Sequence, residues 1–316
     1  MKKTDQILLV GTGNMGIEYA KVLYALNLPF VVVGRSKKSA SNFQKIIGLL
    51  PSIGGIKTWI KDKNKLPTMA IIAVNEEEAG EVTRLLIKNG VKKILAEKPG
   101  GLNDTDLKLT AKFAKKFKTK VFIAYNRRFY ASTAKAKEII KKDGGISSLT
   151  FDFTEWGHII KELNASPKVK ERWFLANSTH VIDMAFFLSG KPARICSYKK
   201  GQLDWHPDGS IYTGAGVTKS GALFSYHANW GSAGRWSVEI MTPKSKLIFK
   251  PLEKLQIQKI GSTAIEEVPI DDELDKKFKP GIYREVRSFI SNQKGLPPLE
   301  EQTENLKYYN KIEHGI

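Results

Sequence analysis

Short apolar runs alternate with amphipathic stretches over the first 125 residues. Ile7–Val10 is the first run, followed by Gly11-Thr12-Gly13-Asn14-Met15-Gly16 and a helical pattern through Leu26. Phe30–Val33 comes next, and further runs occupy 69–74, 93–96 and 121–124, with helical spacing over 76–89 and 105–118. Continuous apolar strands separated by helices predict a parallel sheet covered on both faces, a doubly wound α/β domain. After Asn126 the period changes. A helix over 130–142 precedes runs of period-two character at 148–155, 194–198, 211–217, 222–229, 236–241 and 246–250, with further helices over 179–188, 281–292 and 299–312. Strands joined without long crossovers predict an α+β domain with a large, mostly antiparallel open sheet. The expected domains are 1–125 and 126–316.

The composition is that of an ordinary globular chain: 316 residues, 41% hydrophobic and 26% charged. It excludes a disordered tail protein, a collagen-like chain and a disulfide scaffold. No apolar run reaches the roughly 18–20 residues of a membrane span. The apolar stretch after Met1-Lys2-Lys3-Thr4-Asp5-Gln6 is too short for a signal-peptide core, and a single cysteine, Cys196, forms no internal disulfide. The expectation is a cytoplasmic protein with no membrane partner. A net charge of +19 raises the question of nucleic acid. The basic residues are mostly lysine and are scattered in small groups such as Lys61/Lys63/Lys65, Lys115-Lys116 and Lys276-Lys277. Readers of nucleic acid concentrate arginine and lysine on one element, so no nucleic-acid partner is expected. The charge reads as a solvated surface whose field favours anionic ligands.

Gly11-x-Gly13-x-x-Gly16 follows a strand and opens a helix, the context a dinucleotide fingerprint requires. The first glycine permits the turn, the second lets backbone approach a pyrophosphate, and the third lets helix and strand pack closely. An NAD enzyme usually carries Asp or Glu at the end of the second strand. This chain has Gly34-Arg35-Ser36-Lys37-Lys38, which suits a 2′-phosphate and favours NADP, with NAD possible; the two lysines also suit the start of a solvated helix. Glu97-Lys98-Pro99 closes the fourth strand, where Lys98 can donate to a substrate oxygen. His180 falls in the first turn of a helix opened by Asn177-Ser178-Thr179, and a helix N-terminus disfavours imidazolium.

Together these residues resemble the Gfo/Idh/MocA group of oxidoreductases (glucose–fructose oxidoreductase, inositol dehydrogenase, rhizopine catabolism). The resemblance spans essentially the whole chain. It is carried by the glycine fingerprint, Glu97-Lys98-Pro99, the Tyr125-Asn126-Arg127-Arg128-Phe129 crossing and the His180-x-x-Asp183 helix start. It implies a Rossmann domain followed by an α+β domain, hydride exchange between NAD(P) and sugars or nucleotide sugars, and a homodimer or homotetramer built through the open sheet. By the resemblance Lys98 orients the reacting hydroxyl, His180 exchanges its proton, and the Lys98–Pro99 peptide is cis. Cofactor contacts are expected at Gly11, Gly13, Asn14, Met15, Gly16, Arg35, Ser36, Lys37, Asn75, Glu97 and Lys98.

The chain departs from the family in two places. Where the family carries Asp four residues before the histidine, this chain has Ala176, and where it carries Pro-Asn-x-x-His, this chain reads Val74-Asn75-Glu76-Glu77-Glu78. The first departure opens an alternative reading, a non-catalytic NADP-binding regulator or scaffold of the same fold. Expected substrate contacts are Arg128, Trp156, His158, Arg172, Trp173 and Asn177, with Trp230, Arg235 and Trp236 around a hairpin. Tryptophan faces stack on sugar rings and arginines pair with carboxylate or phosphate. His206 and His227 carry no recognisable metal spacing, so no metal is expected.

Overall fold

The computed structural model describes residues 6–61 and 66–316. Residues 1–5, before the first apolar run, and Lys63 and Lys65 of the lysine group lie outside the described residues. In chain order the elements are β1 Ile7–Val10, α1 Asn14–Ala25, β2 Phe30–Val33, α2 Lys37–Ile47, α3 Gly55–Lys61, β3 Met69–Ile72, α4 Glu76–Lys88, β4 Lys93–Glu97, α5 Asp104–Phe117 and β5 Lys120–Ala124. There follow α6 Ala131–Asp143, β6 Ser148–Asp152, α7 Gly157–Glu162, α8 Pro167–Glu171, α9 Thr179–Ser189, β7 Pro192–Lys200, β8 Ile211–Thr218, β9 Leu223–Asn229, β10 Ser237–Met241, β11 Ser245–Phe249, β12 Gln256–Lys259 and β13 Glu266–Glu267. The chain closes with α10 Glu273–Lys277, α11 Ile282–Ile290 and α12 Leu299–His314. None of the described helices is long and apolar enough to cross a membrane.

The chain forms two compact units. The first takes in Met1–Tyr125 and Lys277–Glu304, the second Asn126–Lys276 and Asn305–Ile316. The stretch around α11, expected within the second domain, therefore belongs to the first unit.

In the first unit five parallel strands run in the order β2-β1-β3-β4-β5. β1 is buried at all four residues, as a strand covered on both faces must be. Side-chain caps start α2, α4 and α5: Ser36 accepts from the Ser39 N–H, Asn75 from Glu78 and Asn103 from Asp106. The returning segment completes the unit. α11 packs on α1, Phe289 meets Phe122 edge-on at 6.4 Å, and Lys93 Nζ donates to the Phe289 carbonyl at 2.9 Å. Pro298 bridges Phe122, and the Ile123 N–H donates to the Pro297 carbonyl.

The second unit holds eight strands in the order β13-β12-β11-β10-β6-β9-β8-β7. The expected antiparallel pairing holds everywhere except between β6 and β9, which run parallel, so the sheet is mixed. The connection from β6 to β9 carries α7, α8, α9 and the β7–β8 hairpin, which gives the chain enough length to return in the same direction. α9 packs on β6 and β10, α6 on β11. The buried face is aromatic: Phe151 lies 5.5 Å from both Phe186 and Tyr226, and Phe153 lies 5.7 Å from Phe174. The other face is mixed, not continuously apolar. Ser225 and His227 alternate with exposed Leu223 along β9, while Leu247, Ile248 and Phe249 of β11 are all buried.

Candidate functional site

In the order β2-β1-β3 the direction of winding reverses between β1 and β3, and ligand crevices form beyond the carboxyl ends of such strands. A cavity of about 510 Å³ lies there, lined by the glycine loop, residues 33–36 after β2, Gly54–Lys57, Ala73–Asn75 and one face of α4. The three glycines divide into two kinds. A side chain on Gly11 (φ +122°) or Gly16 would collide with backbone, its Cβ coming 2.1 Å from the Ala73 and Gly11 carbonyl oxygens respectively. These two serve the packing of loop, strand and helix. A Cβ on Gly13 would meet nothing within 4 Å beyond its own chain neighbours. Gly13 is also the N-cap of α1, with no side-chain capping bond and no acidic residue in the first turn. The helix thus presents free N–H groups and the positive end of its dipole to open space, the arrangement that receives a phosphate. Asn14 and Met15 form the first turn of α1.

Arg35 and Ser36 line the cavity, and Lys37 is the first residue of α2. Arg35 pairs with Glu78 of α4. Asn75 caps α4 through its Oδ1 and lines the cavity. Glu97 accepts from the Tyr19 hydroxyl at 2.6 Å, and Tyr19 lies 3.4 Å from Glu285 of α11. Burial first, then these two carboxylates, push the Tyr19 phenol well above its ordinary range. Lys98 is half-buried beyond β4, and the Lys98–Pro99 peptide is cis.

In the second unit His180 is buried in the first turn of α9. Its Nε2 lies 2.9 Å from a terminal nitrogen of Arg127, in the turn Asn126–Phe129. A guanidinium only donates, so in this contact Nε2 is the acceptor. The Arg127 guanidinium lies 5.2 Å from the Trp236 ring, and His180 is 6.2 Å from the same ring.

A buried carboxylate supports the turn that leads into α9. Glu155, 1% exposed just past β6, accepts from Asn177 Nδ2 and Ser178 Oγ at 2.9 Å each. Its other oxygen takes Arg235 at 3.0 Å. Burial pushes the Glu155 carboxyl up, against the pull of Arg235 and the two donors. Arg235 lies over Trp156 at 4.7 Å and Trp236 at 4.3 Å, stacking that suits a guanidinium plane.

The remaining sequence-predicted residues divide. Arg128 makes a bidentate pair with Asp183 at 2.8 and 2.5 Å, and the two side chains are 6% and 1% exposed. The pair is buried within the second unit. Trp156 is exposed on one side and donates to the Gly234 carbonyl at 2.9 Å. His158 and Arg172 are exposed, Trp173 meets Trp205 edge-on at 6.4 Å, and Asn177 is held by Glu155. Glu155 and Arg127 were not singled out as site residues from the sequence. The one hint to Glu155 is its place at a strand end, immediately before an expected sugar-stacking tryptophan.

No family model matches the chain, and no curated protein matches it. Solved structures do match, each over 98% of this chain. An NAD-binding oxidoreductase from Klebsiella pneumoniae is 16% identical with a TM-score of 0.76 over 96% of its own length. Levoglucosan dehydrogenase, in complex with NADH and levoglucosan, is 18% identical with a TM-score of 0.77 over 95%. UDP-N-acetylglucosamine 3-dehydrogenase from Acidithiobacillus ferrooxidans is 13% identical with a TM-score of 0.75 over 97%. At these identities the likeness is one of fold.

Proposed function

We propose that this chain is a nicotinamide-dinucleotide-dependent oxidoreductase of the Gfo/Idh/MocA type. It interconverts a hydroxyl and a ketone on a sugar, with NADP as the preferred cofactor and a nucleotide-linked sugar as the preferred substrate class. The observation that carries the reading is Gly13, whose missing side chain leaves open space before an uncapped helix N-terminus. Protein packing does not demand glycine there, whereas a pyrophosphate drawn against the backbone does. Arg35 and Ser36 beside the same cavity support a 2′-phosphate. Three folds of matching shape whose names carry NAD, levoglucosan with NADH, and a UDP-sugar support the sugar oxidoreductase class.

The bound nicotinamide supplies hydride exchange; the chain supplies binding and proton handling. In this reading the glycine loop and the α1 N-terminus hold the pyrophosphate, and Lys98 orients the reacting oxygen by hydrogen bonding. His180 exchanges the hydroxyl proton at Nε2 once the substrate hydroxyl displaces Arg127 from that nitrogen. Trp156, beside Arg235, offers an exposed aromatic face to a sugar ring. NADPH is expected to bind about tenfold tighter than NADH, a difference of ~1.4 kcal/mol. Lys98→Met and His180→Ala should each lower kcat by about 10²–10⁴-fold on a sugar turned over by the unaltered protein, with cofactor affinity changed far less. Full turnover in Lys98→Met would overturn the mechanism. Cofactor binding without turnover on any UDP-, GDP- or CMP-sugar or free sugar would favour the regulator that Ala176 brings to mind.

The same reading includes assembly of a homodimer or homotetramer through the open face of the second sheet, where Tyr198 and Leu223 are 65% and 63% exposed. Light scattering checks it: a mass above the 35.4 kDa of one chain is expected, and a concentration-independent mass equal to it would oppose the proposal.

A further inference from the structure

Two carboxylates of α4 stand in the cavity beyond β1, β2 and β3, and each engages one of its cations. Glu78 takes Arg35 and Glu81 takes Lys57, the latter pair at 2.5 Å. The two acids are three residues apart and so share one face of the helix, and all four side chains line the cavity. The hydrogen bond and attraction from Lys57 hold the Glu81 carboxyl below its ordinary range. Ser36, the other expected phosphate ligand, is occupied by the helix it caps: its hydroxyl accepts from the Ser39 N–H at 3.2 Å and lies 2.9 Å from the Ser39 hydroxyl. Arg35 is therefore the principal cation beside β2 for a 2′-phosphate, and it is already paired.

Resting on the dinucleotide reading above, we propose that Glu78 is a selectivity residue that latches Arg35 and narrows the preference for NADP(H) over NAD(H). A ribose 2′-phosphate carries nearly two negative charges near neutral pH and takes a guanidinium bidentately. To do so here it must draw Arg35 away from Glu78 and then sit close to the released carboxylate. A ribose 2′-hydroxyl meets no such opposition, because a carboxylate accepts from it directly. Glu78 thus opposes one cofactor and tolerates the other. The Arg35 and Glu78 side chains are 71% and 35% exposed, and a pair so open to water is weak enough for phosphate to break. The latch biases selection without forbidding NADP(H).

The Lys57–Glu81 pair supplies a control of equal charge in the same cavity. NADPH and NADH are titrated into the full-length protein, reading nicotinamide fluorescence, for the unaltered chain, Glu78→Gln, Glu78→Asp and Glu81→Gln. Glu78→Gln should raise the ratio of NADPH to NADH affinity by about tenfold, through tighter NADPH. Glu78→Asp should keep the ratio of the unaltered protein to within about twofold, and Glu81→Gln should move it by less than about threefold. An unmoved ratio in Glu78→Gln, or an equal rise in Glu81→Gln, would overturn the latch. Binding of both nucleotides with an unmoved ratio refutes the latch alone. Binding of neither to the unaltered protein refutes the dinucleotide reading and the latch with it.

Discussion

The two sheets of this molecule use their strands in opposite ways. β1 buries four successive residues, whereas β9 buries Phe224, Tyr226 and Ala228 and leaves Leu223, Ser225 and His227 in water. A strand covered on both faces has no side chain left over for chemistry. Its sheet can offer a ligand only its ends, and the glycine loop, Arg35 and Asn75 all lie just past strand ends. A strand covered on one face keeps a second surface. The second sheet also tolerates a buried carboxylate, Glu155, beyond the end of β6.

This contrast can be tested on one residue type. Leu8 and Leu9, neighbours in β1, are both fully buried, so Leu8→Ala and Leu9→Ala should each cost about 2–5 kcal/mol. Leu223→Ala, at the start of β9, should cost under about 0.5 kcal/mol in the isolated chain. Urea titration of the three variants reads this directly. A cheap Leu8→Ala or Leu9→Ala would mean that one face of the first sheet is open, and a costly Leu223→Ala would mean that the outer face of the second is covered by a partner. A smaller effect concerns pH. Burial raises the Glu155 pKa, so the folded protein keeps that proton to higher pH than the unfolded chain does. The group's contribution is fully present below the unfolded pKa and is lost as pH rises through the folded value. Melting temperature relative to Glu155→Gln should therefore fall as pH rises from the ordinary carboxylate range upward. A constant difference between the two proteins across that range would show that burial does not control this group.

The first unit was legible because its signals are local. Ile7–Val10, the glycine spacing and Phe30–Val33 each announce themselves within a few residues, and the strands lie where those runs lie. The second sheet was legible as strands but not as a sheet: period-two alternation in 148–152 and 223–229 says which face is buried and nothing about direction. The parallel pairing of β6 with β9 depends on everything inserted between them. Placing α11 with the first unit was out of reach for the same reason, since its contacts with α1 link residues far apart in sequence. The pairing of Arg128 with Asp183 was out of reach because the partner stands 55 positions away in the chain. Glu155 was overlooked because a lone acid at a strand end has no spacing to betray it; its role comes from Asn177, Ser178 and Arg235, brought to it by the fold.

The bridge between Phe122 and Pro298 bears on how the molecule is made. β5 is the last strand of its sheet, and on its free side the chain supplies Pro297 and Pro298. Proline contributes a carbonyl and no N–H, so it satisfies part of the strand's edge and gives no template for another strand to join. That cover is synthesised long after the strand it protects. On the ribosome, residues 1–125 emerge while the segment that closes their sheet is more than half a chain away from being translated. Until residues 297 and 298 are made, the nascent first unit therefore carries an uncovered strand edge, the kind of surface that invites mispairing during folding.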